Sequence, residues 1–205
     1  MCLDVEIKNG AFSYGKRKVF ENINLKINKG DIIAVVGKNG AGKTTLLKCL
    51  AGILDLTSGE IIRNDKETSV FVPALPTAYE YLTGYEYLLF IQSIANGNRE
   101  QHRIEELLRL YTLYDEKDKL IKDYSHGMKQ KLSLCAALIH EDVDYILLDE
   151  PLTGVDKQSQ VIIMDNFRRL AKQNKAIILA THQIETLKAV CNRIYYLETG
   201  EDEYL

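Results

Sequence analysis

The stretch "GKNGAGKT", residues 37–44, constrains this chain more than any other. It follows a nearly continuous apolar run, "DIIAVVG" at 31–37, and it leads into a helical pattern from Thr44 to Leu50. An apolar run of that kind suits a strand buried on both faces. A loop of the form G-x-x-x-x-G-K-[ST] between such a strand and a helix turns its backbone amides toward phosphate at a helix start. Gly37, Lys38, Asn39, Gly40, Ala41, Gly42, Lys43, Thr44 and Thr45 are therefore candidates for holding the phosphates of a nucleotide. Lys43 would reach the β and γ oxygens, and the Thr44 hydroxyl would serve a magnesium ion.

Patterning around the loop sets the fold class. Residues 3–8 and 18–27 alternate and read as antiparallel strands joined by a turn region, "NGAFSYGK", and 59–72 return to short strands. From Tyr79 to about His140 the spacing is helical. "VDYILLD" (143–149) and "KAIILAT" (175–181) are again buried strands separated by a helix, and "RIYYLETGE" makes a last strand and turn. The expectation is one α/β domain over 1–205. A parallel core with an antiparallel β edge occupies 1–75 and 141–205, and a helical subdomain is inserted at 76–140.

At 205 residues the chain can bury a real core. Cys2, Cys49, Cys135 and Cys191 are scattered without metal-like spacing, which favours reduced thiols in a cytoplasmic protein. The net charge of −3 gives no drive toward nucleic acid, and none is expected as a partner. No signal-like start or spanning apolar stretch is visible, so at a membrane a partner would supply the span.

Two further strand ends carry chemistry. "YILLDEP" (145–151) ends in adjacent acids, and ligands of open α/β sheets sit at strand carboxyl ends. Neighbouring side chains alternate, so the two acids take different tasks: Asp149 holds the metal, and Glu150 orients or deprotonates an attacking water. His182 follows "AIILAT" at another strand end, where it can hydrogen-bond the γ-phosphate or the water's surroundings. "DYSHGMKQKLSL" (123–134) is a second helix start suited to an anion, far from the first in sequence.

The order and spacing of the phosphate loop, "DYSHGMKQ", "LLDEP", "LTGVD" and "ATHQIE" resemble the ATPase domain of ATP-binding cassette (ABC) transporters, over essentially the whole chain. The resemblance implies a P-loop NTPase core. It also implies two ATPase domains paired head to tail around two Mg-ATP, hydrolysing ATP to drive a separate integral membrane permease from the inner, cytoplasmic face of the membrane. In such a pair Ser125, His126, Gly127 and Met128 would close over the nucleotide held by the other copy, or by a homologous subunit. Tyr14 matches the aromatic that stacks on adenine, and Asp156 matches the loop that links the two sites. Asp156 also suits the N-cap of the helix that follows it. Aromatic and apolar residues from Tyr79 to Phe90 are the candidates for permease contact.

Two departures from the family pattern matter. The usual Leu-Ser-Gly-Gly-Gln is here Tyr124, Ser125, His126, Gly127, Met128. This variant resembles bacterial exporters of drugs and antimicrobial peptides. Ala74 stands where the family carries a glutamine, and an alanine offers no oxygen to magnesium or water. Slow turnover, or substitution by another group, would follow. The alternative function is a non-transport ATPase using the same clamp on a macromolecular assembly, but the tandem halves, long arms or basic tails of such proteins are not visible here.

Overall fold

Alternating apolar residues build the first sheet. In the computed structural model, which describes residues 5–64, 66–74, 79–96, 101–139, 142–182 and 184–205, β1 (Val5–Tyr14) buries Val5, Ile7 and Phe12. β2 (Arg17–Ile27) buries Phe20, Ile23, Leu25 and Ile27 and pairs antiparallel with β1. β4 (Ser58–Ile62) joins the other edge of β1, also antiparallel.

One expectation is corrected here. The connection between the first two strands is only Gly15 and Lys16, because β1 runs through "NGAFSY" instead of turning there. Asn9 adopts φ 48°, and the register with β2 shifts between Ile7 and Gly10 and again between Gly10 and Phe12. The segment is thus a bulged strand. Bulges and turns both recruit glycine and asparagine, so composition alone does not separate them.

The main sheet contains β3 (Ile32–Val36), β5 (Ser69–Val72), β6 (Tyr145–Asp149), β7 (Ala176–Thr181), β8 (Arg193–Tyr196) and β9 (Glu201–Tyr204), in the order β5-β6-β7-β3-β8-β9. All neighbours are parallel except β8 and β9. β3, β6 and β7 are buried along their whole length, as their unbroken apolar runs require.

Helices cover both faces. α1 (Lys43–Leu50) packs with Ile33 and Val35 of β3, together with the core of the first sheet. On the opposite face Ile32, Ala34 and Val36 join the buried residues of α2 (Gly84–Asn96), α3 (Gln101–Leu110), α4 (His126–Ala137) and α5 (Lys157–Lys172). A single turn, α6 (Ile184–Leu187), follows β7. Leu46 and Leu47 are fully buried, each contributing about 2 kcal/mol or more, and so fix the helix start that the phosphate loop feeds. The expected junctions of the helical insertion, 75–76 and 140–141, lie outside the described residues. Among the described residues no helix is long and apolar enough to cross a membrane.

Candidate functional site

Parallel pairing brings three strand ends together. Val36 at the end of β3 pairs with Thr181 of β7, and Asp149 at the end of β6 pairs with Ala180. The phosphate loop, the two acids and His182 therefore leave the sheet side by side, although their positions span more than half of the sequence.

The loop's shape depends on its glycines. Gly40 and Gly42 take φ 82° and 105°, the left-handed region where a side chain is strained, and a Cβ on Gly42 would lie 2.5 Å from Val19 Cγ1. Ala41 N donates to Lys38 O at 3.1 Å and tightens the turn. Gly42 caps α1 without a side-chain hydrogen bond, which leaves the first amides of the helix to an anion. Lys43 is nearly buried, and its Nζ rests on two carbonyls of its own loop, Gly37 O at 2.7 Å and Lys38 O at 3.1 Å.

Across from the helix start, Thr44 Oγ1 donates to Asp149 Oδ2 at 2.7 Å. Burial pushes the Asp149 carboxyl above the ordinary aspartate range; the Thr44 hydrogen bond and the charge of Lys43 oppose this, and Glu150 adds to it. A buried carboxylate beside a hydroxyl is a pair of hard oxygen donors, the kind that magnesium takes together with phosphate and water. These two residues fit the ion.

Glu150 adopts φ 48°, a conformation that costs a non-glycine residue about 1 kcal/mol or more. Its amide donates to Ala180 O at 2.9 Å. Its side chain is held from β7: Oε1 lies 2.7 Å from His182 Nδ1, and Thr181 Oγ1 donates to Oε2 at 3.3 Å. The acid is thus turned away from the path of its strand and fixed at two oxygens.

Around these groups opens a cleft of about 370 Å³. Tyr14, Asn39, Gly40, Gly42, Lys43, Thr44, Thr45, Asp149 and Glu150 line it, and so does Ala74. Tyr14 is 55% exposed, and its ring stands nearly perpendicular to that of Phe12 at 4.9 Å. Gly37, Lys38 and Ala41 belong to the same loop but are not among the residues lining the cleft.

The remaining candidates gather elsewhere. Ser125 is the N-cap of α4, accepting from Met128 N at 3.2 Å. Gly127 meets the backbone of Gly154, where a Cβ would lie 2.5 Å from the Gly154 carbonyl oxygen; the His126 ring lies against the same glycine. Asp156 caps α5, taking Ser159 N at 2.9 Å and Ser159 Oγ at 2.7 Å. None of Ser125, His126, Gly127, Met128 and Asp156 is among the residues lining the cleft.

Sequence reasoning missed four contributors. Arg17 and Val19 line the cleft, Thr181 holds Glu150, and Glu198 accepts Lys38 N at 2.8 Å. Arg17 had a usable signal, a basic run next to Tyr14. Glu198 had none, since only the fold brings it to the loop.

Comparisons agree with this geometry. The family model described as ABC transporter matches residues 20–153. The uncharacterized ABC transporter ATP-binding protein YxlF of Bacillus subtilis (strain 168) is 33% identical over 204 residues, 96% of this chain and 68% of that protein. The linearmycin resistance ATP-binding protein LnrL of the same organism is 29% identical over 210 residues, 96% of this chain and 67% of that protein. A solved structure of the ATP binding subunit of an ABC transporter superposes with a TM-score of 0.87 at 26% identity, covering 98% of this chain and 90% of that one. The chain belongs to the ABC transporter family, in which it is an ATP-binding subunit with the family's ATPase domain.

Proposed function

We propose that two copies of this ATPase, or one copy and a homologous subunit, close head to tail around two Mg-ATP and so drive a separate integral membrane permease from its cytoplasmic face. The observation that carries this reading is the separation of two phosphate-binding surfaces on one chain. The cleft holds Lys43, Thr44, Asp149 and Glu150, whereas the Ser125 helix start lies outside it. Each surface is half of a site, and a second copy completes both.

In the closed pair, Tyr14 stacks on adenine while the loop amides and Lys43 hold the phosphates, and the partner copy's helix start adds its amides and hydroxyl to the γ-phosphate. Thr44 and Asp149 would hold magnesium, which would supply positive charge beside the phosphates. Glu150 orients the attacking water and receives its proton, and His182 keeps that carboxylate in place. Arg17, at the rim beside Tyr14, supplies a further positive charge toward the nucleotide.

The permease contact is assigned to an exposed aromatic groove of about 400 Å³ lined by Tyr79, Glu80, Tyr81, Leu82 and Phe90. Tyr79 and Tyr81 are 60% and 80% exposed, an unusual place for two adjacent aromatics on the surface. Export is the direction favoured by the Tyr-Ser-His-Gly-Met signature.

Light scattering on Glu150→Gln tests the pairing. Removing the proposed base traps ATP, so the mass should double with Mg-ATP and stay monomeric with Mg-ADP. Adding Ser125→Arg should abolish the doubling. A monomer in every condition, with ATP binding proven separately, would rule out a self-assembling clamp.

A further inference from the structure

Glu198 stands 160 residues from Lys38 in sequence and directly against it in space. It lies in the turn between β8 and β9, and β8 borders β3 on the side away from β7. The ladder between β3 and β8 ends with Val36 paired to Tyr196, after which Leu197 N donates to Val36 O at 2.9 Å. One residue further on, the side chain takes over from the backbone. Lys38 N donates to Glu198 Oε1 at 2.8 Å, so the carboxylate acts as the next rung and carries the pairing into the phosphate loop.

The peptide unit between Gly37 and Lys38 is consequently pinned at both ends. Its N–H goes to Glu198, and its carbonyl, Gly37 O, accepts Lys43 Nζ at 2.7 Å. Bonds at the two ends of one amide polarise each other, and here both are charge-assisted, one by the carboxylate and one by the ammonium. Rotation of this peptide would carry away the carbonyl on which the lysine rests. A Cβ on Gly37 would lie 3.0 Å from Glu198 Oε2 and 3.2 Å from Ala41 Cβ, so the carboxylate sits close against the loop's first residue.

We propose that Glu198 is a positioning residue for nucleotide binding, fixing the Gly37–Lys38 peptide and through it the resting place of Lys43. The inference rests on the nucleotide-site assignment above and adds a residue to it. Glu198 touches neither the phosphates nor the water in this scheme. Its loss should therefore weaken ATP binding in ground state and transition state alike.

The test compares Glu198→Ala with Glu198→Gln, which keeps an oxygen acceptor and removes the charge. Glu198→Ala should raise the Kd and KM for Mg-ATP by about threefold to tenfold, the worth of one hydrogen bond, with kcat within about twofold of the parent. Glu198→Gln should return Kd and KM to within about twofold of the parent, because the acceptor is what matters. Hydrogen exchange of the peptide covering 37–42, measured without nucleotide, should speed up in Glu198→Ala and not in Glu198→Gln. Unchanged exchange and unchanged Kd in Glu198→Ala would overturn the proposal, as would a Gln variant as impaired as the Ala variant. A parent chain that binds no ATP would overturn the nucleotide-site assignment, while the exchange comparison decides the anchor by itself. Thermal melts of both variants separate these effects from loss of folding.

Discussion

Glu150 Oε1 and His182 Nδ1 lie 2.7 Å apart, each just past the end of a strand, and β6 and β7 are neighbours in the sheet. A carboxylate at φ 48°, fixed through its amide and through both of its oxygens, one of them by the histidine, is arranged for one direction of approach. Glu150→Gln should lower kcat for ATP hydrolysis by about 10²-fold or more while leaving ATP affinity near that of the parent. His182→Ala removes one of two holds and leaves Thr181, so its loss should be smaller, about tenfold to 10²-fold. Steady-state hydrolysis paired with a binding isotherm measures both. A Glu150→Gln enzyme that retains most of its turnover would exclude this residue as the base.

The aromatic groove offers a separation of binding from coupling. Tyr79 packs edge-on against Phe90 at 5.2 Å, whereas Tyr81 points further into solvent. A glutamate at position 81 should thus leave the chain folded, with a change in Tm of at most about 2 °C, since exposed positions away from packing contribute little. ATP affinity should stay unchanged and permease-dependent transport should be lost. If Tyr81→Glu instead reduces nucleotide binding, the groove belongs to the ATPase and not to a membrane partner.

What could be read from the residues alone follows a physical divide. The phosphate loop, the buried strands and the helical stretch announce themselves because their periodicity and glycine positions are local properties. The bulge at Asn9 and Gly10 looked like a turn because the same residues serve both. Asp156 was legible twice, as a cap and as a linking residue; the cap is observed, and the link across a pair needs a partner. Glu198 and Thr181 were invisible, since what they do is created by parallel register between distant strands. A glutamate in a terminal turn carries no mark of the loop it holds.

Three buried thiols predict how stability changes with pH. Burial, helped by the charge of Asp55, pushes Cys49 from 9.0 up to about 11, and burial pushes Cys191 up to about 12; Cys135 moves the same way for the same chief reason. Above pH 9 the unfolded thiols ionise while the folded ones stay protonated, so the folded state holds more protons. The stability from this source is fully present below the ordinary thiol value and is lost as pH rises toward the folded values. The slope is about 1.4 kcal/mol per pH unit for each thiol. Thermal melts should therefore fall from pH 9 upward, and in a Cys2→Ser background Ellman's reagent should label the chain only on unfolding. Rapid labelling of the folded protein near pH 8 would contradict the burial of these groups.

The contact between the signature helix and the loop after Glu150 can be dissected by substitution. Gly154 takes φ 73°, and a Cβ there would lie 2.4 Å from His126 Cδ2. Gly154→Ala therefore carries two costs, left-handed strain of about 1 kcal/mol and a clash with an imidazole, for a total of about 1–3 kcal/mol. The ring is exposed and can be removed, so adding His126→Ala should recover the steric part and leave the strain, giving a coupling of about 0.5–1.5 kcal/mol in a double-mutant cycle. Gly127→Ala behaves differently. Its Cβ would meet the Gly154 carbonyl oxygen at 2.5 Å, a backbone atom that His126→Ala cannot move, so no rescue should appear. Chemical denaturation of the parent and these five variants decides the matter. Rescue of Gly154→Ala without rescue of Gly127→Ala shows that the histidine, in the place of the family's first signature glycine, braces the helix start against the loop that leads from Glu150 to Asp156. Equal behaviour of both glycine variants would mean that His126 makes no such contact in solution.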